Sequence, residues 1–197
     1  MGGHPGPEIR GAQFGLIIRE GWGGRVPHLD PPLDFNHSQV SSLSENWKKV
    51  NNDPVCFGAR GDSYGAFNII ESGLIYTFKL AHLNGNIRCS EDVAASHWGC
   101  THESYGDKQL GTIITFKNKT ALQLAEYRGD GIGCAYYSYK LDSVGVNAPI
   151  LAFNNMSSPL AVSAGQEFRI WFGGDLHNCG ESNNSGQTCV DVFAWYA

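Results

Sequence analysis

The sequence predicts an all-β protein, an antiparallel β-sandwich stapled by disulfides, and three observations carry that prediction. Short stretches alternate apolar and polar residues at a period of two. Clusters of Gly, Asn, Asp and Ser separate them, and six cysteines are spread along the chain without a repeated C-x-x-C. Composition agrees: 25 glycines and a 12% aromatic content suit strands and turns better than helices. At 197 residues the chain is long enough to bury a core of its own.

The elements follow in chain order. Residues 1–54 differ from the rest and are expected to form an extension that packs on the body or links it to something else. They hold Gly21-Trp22-Gly23-Gly24, Pro27, Pro31 and Pro32, then a Ser/Asn-rich run, with a single strand-like segment at 14–18. The run 41–50 has the pattern of one or two helical turns capped by Ser44. Residues 55–197 form the sandwich. In 74–80, Leu74, Tyr76, Phe78 and Leu80 alternate with Ile75, Thr77 and Lys79, which predicts a half-buried strand. Strands are also predicted at 112–117, 121–127, 134–141, 150–153, 166–172 and 189–196. No repeat of 20 to 50 residues is visible, which argues against a propeller or solenoid.

Charge and cysteines narrow the setting. With 14 Lys and Arg against 19 Asp and Glu the net charge is -5, so the chain lacks the basic footprint that follows a nucleic-acid backbone. No run approaches the roughly 20 apolar residues of a membrane helix. Six cysteines allow 15 connectivities, and three disulfides are expected. Loop geometry suggests Cys89 with Cys100, and Cys179 with Cys189. Sequons at Asn36, Asn118, Asn155 and Asn183 fit a secreted protein. The polar start, Met1-Gly2-Gly3-His4, does not read as a secretory leader, so secretion is inferred from cysteines and sequons.

The stretch from Trp171 to Asp191 concentrates Asp175, Glu181, Asn183, Asn184 and Asp191 around a loop between two apolar strands. These are oxygen donors, the ligand type that Ca²⁺ takes at six to eight positions. The same residues equally make a solvated hairpin loop. A Ca²⁺ in an exposed loop keeps open positions that vicinal sugar hydroxyls can fill, while an aromatic ring such as Trp171, Trp195 or Trp98 stacks on the sugar. His97, Cys100 and His102 suggest zinc, but a disulfide would remove the Cys100 thiolate. No G-x-S-x-G elbow is present, and among Glu103, Asp107, Glu126 and Asp130 nothing singles out a catalytic pair. A binding protein is therefore expected, not an enzyme. Arg60-Gly61-Asp62 offers the alternative of an extracellular matrix or adhesion module that binds protein.

Four segments together resemble a known family. They are 56–67 (Cys-Phe-Gly-Ala-Arg-Gly-Asp-Ser-Tyr-Gly-Ala-Phe), 78–85, 96–100, and 166–176 through 189–194. They are similar to secreted cnidarian domains and to the calcium-dependent, galactose-binding sea anemone lectins, over residues from about Cys56 to Ala197. The resemblance implies a Ca²⁺-assisted lectin for galactose-containing glycans, made multivalent as a homo-oligomer. On this basis Asp175, Glu181, Asn183 and Asp191 are the expected Ca²⁺ ligands, and Asn184, Trp171 and Glu181 the expected sugar contacts. Two positions depart from the family's pattern. Gly174 stands where an acid is expected before Asp175-Leu176, and Gly61 where Asp is expected after Arg60. Asp191 also shares a strand face with Phe193 and Trp195, which gives it a structural reading.

Overall fold

Strand β9, Ser185–Tyr196, shows why the chain folds as it does. Val190, Val192, Ala194 and Tyr196 are buried while Asp191, Phe193 and Trp195 face outward, so one side of the strand builds the core. In the computed structural model, which describes residues 46–122, 124–125 and 137–197, this strand pairs along almost its whole length with β4, Gly73–Arg88. Strands β1 (Trp47–Lys49) and β2 (Val55–Gly58) lie along the outer side of β9. Strands β6 (Ile150–Ala152) and β7 (Leu160–Val162) lie along the outer side of β4. All these pairings are antiparallel and make one six-stranded sheet.

A second, three-stranded antiparallel sheet has the order β3 (Gly65–Asn68), β8 (Glu167–Phe172), β5 (Thr112–Phe116). Phe67 and Phe168 from this sheet meet Phe78 from the first, with ring centroids 5.5 to 5.8 Å apart. Contacts of that kind make the two inner faces a common core, the antiparallel sandwich that the sequence predicts.

Several sequence expectations change. The phase of β4 is not constant: Ile75 and Thr77 are buried, then Phe78 and Leu80, while Leu74 is exposed. Two register shifts against β9, between Ile75 and Thr77 and between His82 and Asn84, are bulges that flip the side-chain parity. Residues 47–49, expected within a helical turn, are strand β1, because Trp47 packs edge-on against Trp195 and the backbone pairs with β9. In 137–141 only isolated bridges form, at Tyr139 and Leu141, and Ala121 likewise makes a single bridge. The expected strand at 14–18, the Ser44 cap, and residues 123, 126–127 and 134–136 of the other two expected strands lie outside the described residues.

The Cys89–Cys100 disulfide forms as expected. Cys189, however, bonds to Cys56, so the expected Cys179–Cys189 bridge does not exist. The reason is register: Cys56 and Cys189 are direct cross-strand partners, with Cα atoms 4.0 Å apart. Cys179 is itself disulfide-bonded, and no described cysteine is free.

Candidate functional site

Strand β8 ends at Phe172 and runs into a single helical turn, α1 (Gly173–Leu176), which places Asp175 inside the protein. Its side chain is wholly buried. One carboxylate oxygen accepts the backbone N–H of Asp62 at 2.7 Å and the other that of Ser63 at 2.8 Å. Glu181, in the 3-10 turn Glu181–Asn183, accepts the N–H of Gly61 through Oε2 at 3.1 Å. Two acids from the C-terminal loop thus hold the Arg60–Ser63 turn by its backbone. Gly61 and Asp62 both lie in the left-handed region, at φ 78° and 55°, which explains a glycine at 61. Burial raises the pKa of Asp175; the two N–H donors oppose that shift, and the nearby Glu181 and Asp62 charges add to it.

Gly174 is also accounted for. A Cβ there would lie 2.9 Å from the Asn184 amide nitrogen and the Phe172 ring, and 3.0 Å from the Cys179 carbonyl oxygen. The loop closes around this position through the N–H of Cys179, which donates to the Gly174 carbonyl at 2.7 Å. An acidic side chain at 174 has no room without moving the loop.

Of the four expected metal ligands, the structure brings Asp175 and Glu181 to one turn, with Asn183 at the end of the same 3-10 turn as Glu181. Asp191 is elsewhere. It sits on β9 four residues, about 13 Å along the strand, beyond Gln187, the residue that pairs with Gly58 just before the 60–63 turn. There it takes the Lys49 ammonium at 2.9 Å and the Asn51 amide at 3.0 Å. Asn51 also accepts the Val192 N–H at 2.6 Å, filling the gap between β1 and β2. Burial opposes ionisation of Asp191, but Lys49 and Asn51 outweigh it and hold its pKa below the ordinary value. Its stabilising contribution is therefore present above the unfolded pKa and lost as pH falls through the folded one. Asp191→Asn is expected to lower stability by about 1 kcal/mol at pH 7 and by less near pH 3, read from urea midpoints at the two pH values.

Whether these acids suit a cation can be tested on their partners. Asp175 has both oxygens engaged and Asp62 pairs with Lys119 at 2.8 Å. Among the described residues no three Asp, Glu, His or Cys side chains converge as a metal-binding group. Glu181 Oε1 is different: it is buried and has no hydrogen-bond partner. An orphaned carboxylate oxygen is an expensive group to bury, and it is the one place here that fits a hard cation.

The expected sugar contacts Trp171 and Asn184 both point inward. Trp171 is wholly buried, with its indole N–H donating to Thr115 Oγ1 at 3.1 Å. Tyr64 covers it at 4.8 Å between centroids, and the Lys119 ammonium lies 4.8 Å from its centre. No face of Trp171 is open to a sugar, because this side of the second sheet is itself covered. Asn184 is 3% exposed and donates to the Ala59 carbonyl at 3.2 Å.

Beside this buried polar layer lies a cleft of about 180 Å³, lined by Gly180, Asn183 and Asn184 from the C-terminal loop and by His102, Ser104 and Tyr105 from the 102–105 turn. His102 caps the 3-10 turn Glu103–Tyr105, its Nδ1 accepting the Ser104 N–H at 3.1 Å and lying 2.8 Å from the Ser104 hydroxyl. The Tyr105 phenol is half-buried, and burial raises its pKa, so it is a neutral hydroxyl. An imidazole, two hydroxyls, amides and a ring edge facing one concavity can hydrogen-bond a neutral polyhydroxylated ligand. Sequence reasoning weighed His102 only for zinc and missed Ser104 and Tyr105. The Cys89–Cys100 disulfide just before them is the one signal that a shaped loop follows.

No family model and no curated protein matches the chain. Among solved structures it matches AJLec from the sea anemone Anthopleura japonica, at probability 1.00 with a TM-score of 0.67 and 29% identity. The match covers 77% of this chain and 97% of that one. In fold and in sequence the described domain is similar to a sea anemone lectin along nearly that protein's whole length, and it is a lectin-like domain.

Proposed function

We propose that this protein is a secreted lectin that binds galactose-type sugars with Ca²⁺ at the C-terminal loop. The observation that carries the reading is the cleft between Tyr105 and Asn183, set on a domain similar to a sea anemone lectin. The sugar is held by the hydroxyl, imidazole and amide groups of Ser104, Tyr105, His102 and Asn183. Glu181 and Asn183 would hold the Ca²⁺, which when bound supplies coordination positions for sugar hydroxyls. Asp175 acts behind them as the buried acid that keeps the 60–63 turn in place. A single open cleft binds one sugar weakly, so a homo-oligomer that links sites would supply avidity, by roughly 10²- to 10⁴-fold. The neighbour is a lectin, which supports binding without catalysis.

The test is calorimetric titration of metal-free protein with lactose, with millimolar Ca²⁺ and then with chelator. Heat is expected only with Ca²⁺, and Tyr105→Ala is expected to weaken binding by about tenfold while Asp191→Asn leaves it unchanged. Heat in both conditions would remove the calcium dependence but keep the lectin. Silence in both from folded protein would sink the galactose reading.

A second reading has one observation in its favour: Arg60, Gly61 and Asp62 are all exposed, as a protein-adhesion turn requires. Against it, the Asp62 carboxylate is engaged by Lys119. Cell attachment blocked by a soluble Arg-Gly-Asp peptide would favour adhesion.

A further inference from the structure

Residues of two sequons line one apolar groove. The groove, about 360 Å³, is lined by Phe116, Thr120 and Leu122 from one segment and by Met156, Ser157 and Leu160 from another. Thr120 is the third residue of Asn118-Lys119-Thr120, and Ser157 the third of Asn155-Met156-Ser157. Each acceptor asparagine therefore stands two residues from a groove-lining residue, one on each segment.

Both asparagines have the exposure and freedom that a glycan needs. Asn118 sits at the tip of the tight turn after β5, closed by the Phe116 N–H to the Thr120 carbonyl at 2.9 Å. Its Oδ1 accepts the Thr120 N–H at 3.0 Å. N-linkage replaces a hydrogen on Nδ2, so this turn bond survives the modification. At Asn155 the backbone is anchored on both sides. The Asn154 carbonyl accepts from the Thr77 hydroxyl at 2.9 Å, and the Met156 N–H donates to the Tyr76 carbonyl at 2.8 Å. Met156 turns into the groove while Asn155 is exposed.

We infer that Asn118 and Asn155 both carry N-linked glycans and that the two glycan cores lie over the groove between them. The inference rests on the extracellular reading of the protein but not on its sugar specificity. The chemistry matches at the contact. The lining is largely apolar, with Phe116, Leu122, Met156 and Leu160, and a pyranose presents an apolar C–H face and N-acetyl methyl groups to such a surface. An uncovered groove of this kind on a secreted protein would be an adhesive surface. Asn183, by contrast, lines the ligand cleft, where a glycan would fill the space assigned to the sugar. The inference is confined to Asn118 and Asn155.

The experiment is secretion of the full chain behind an added leader from insect cells, followed by glycopeptide mapping with peptide N-glycosidase in ¹⁸O water. Delivery by the added leader separates this test from the question of natural localisation. Conversion of both Asn118 and Asn155 to ¹⁸O-labelled Asp is expected, and Asn118→Gln and Asn155→Gln should each remove one glycan from the intact mass. Enzymatic removal of the glycans from the folded, unsubstituted protein is then expected to raise the fluorescence of a bound apolar dye by about twofold. It should also speed hydrogen exchange at 116–122 and 156–160. Either asparagine unmodified on the secreted chain would overturn the inference, and so would full occupancy with no change at the groove on deglycosylation.

Discussion

Asp175→Ala is expected to destabilise the protein by about 3 kcal/mol, measured as a fall in urea midpoint at unchanged slope. The substitution takes a wholly buried carboxylate from two backbone N–H groups and leaves both donors without partners. Asp175→Asn, which keeps the volume, should lose about 2 kcal/mol, since one amide face turns a donor toward a donor. The pH dependence has a definite sign. Burial raises the Asp175 pKa, so the native state binds this proton more tightly than the unfolded chain does. The side chain's contribution is then greatest below the unfolded value and declines as pH rises through the folded one. The gap between the parent protein and Asp175→Asn is expected to be wider near pH 3 than at pH 7. That slope is opposite to the one expected for Asp191. If Asp175→Ala unfolds at the parent's midpoint, the buried clamp on the 60–63 turn is not a source of stability.

The other large effect is expected at the Cys56–Cys189 bridge. It closes a loop with a sequence separation of 133, whereas Cys89–Cys100 closes one of 11. The loss of unfolded-chain entropy grows with the logarithm of loop length, which gives about 5 kcal/mol for the long loop and about 3 kcal/mol for the short one. A Cys56→Ser, Cys189→Ser double variant should melt roughly 10 °C or more below the parent, and Cys89→Ser, Cys100→Ser by less. The long bridge also ties β2, and with it the Arg60–Ser63 turn, to the end of β9 that follows the C-terminal loop. Weaker lactose binding in the first variant than in the second is expected for that reason. Equal melting shifts for the two would count against loop length as the deciding factor.

These two sites show what was readable in the residues and what was not. The alternation of β9 is legible from Val190 to Tyr196 because that part of the strand runs without interruption, one face wet and one dry. The same reading of β4 holds at Phe78 and Leu80 but fails before them, at Leu74 and Tyr76, because a bulge between Ile75 and Thr77 shifts the register against β9 and flips the side-chain parity. Strands β2 and β3, four residues each and glycine-bearing, carry too short a pattern to be told from turns. Trp171 was expected as a sugar contact, which needs an open ring face, and an antiparallel sheet commonly leaves one face to solvent. Here Tyr64 and Lys119 cover that face as well.

The sequence by itself determined the class of the molecule. Its period-two patterns, turn residues and scattered cysteines require an all-β sandwich. Residue types alone marked the loop from Asp175 to Asn184 as the chemically loaded one, since burying acids and amides demands partners. Only the tertiary structure decided who those partners are. Asp175 meets backbone groups 113 residues earlier in the chain, Cys189 meets Cys56 because β2 pairs with β9, and the cleft joins Asn183 to Tyr105. Pairings of that range depend on strand order and register. Both are set by how two sheets pack around a common core, and no local pattern of residues encodes them.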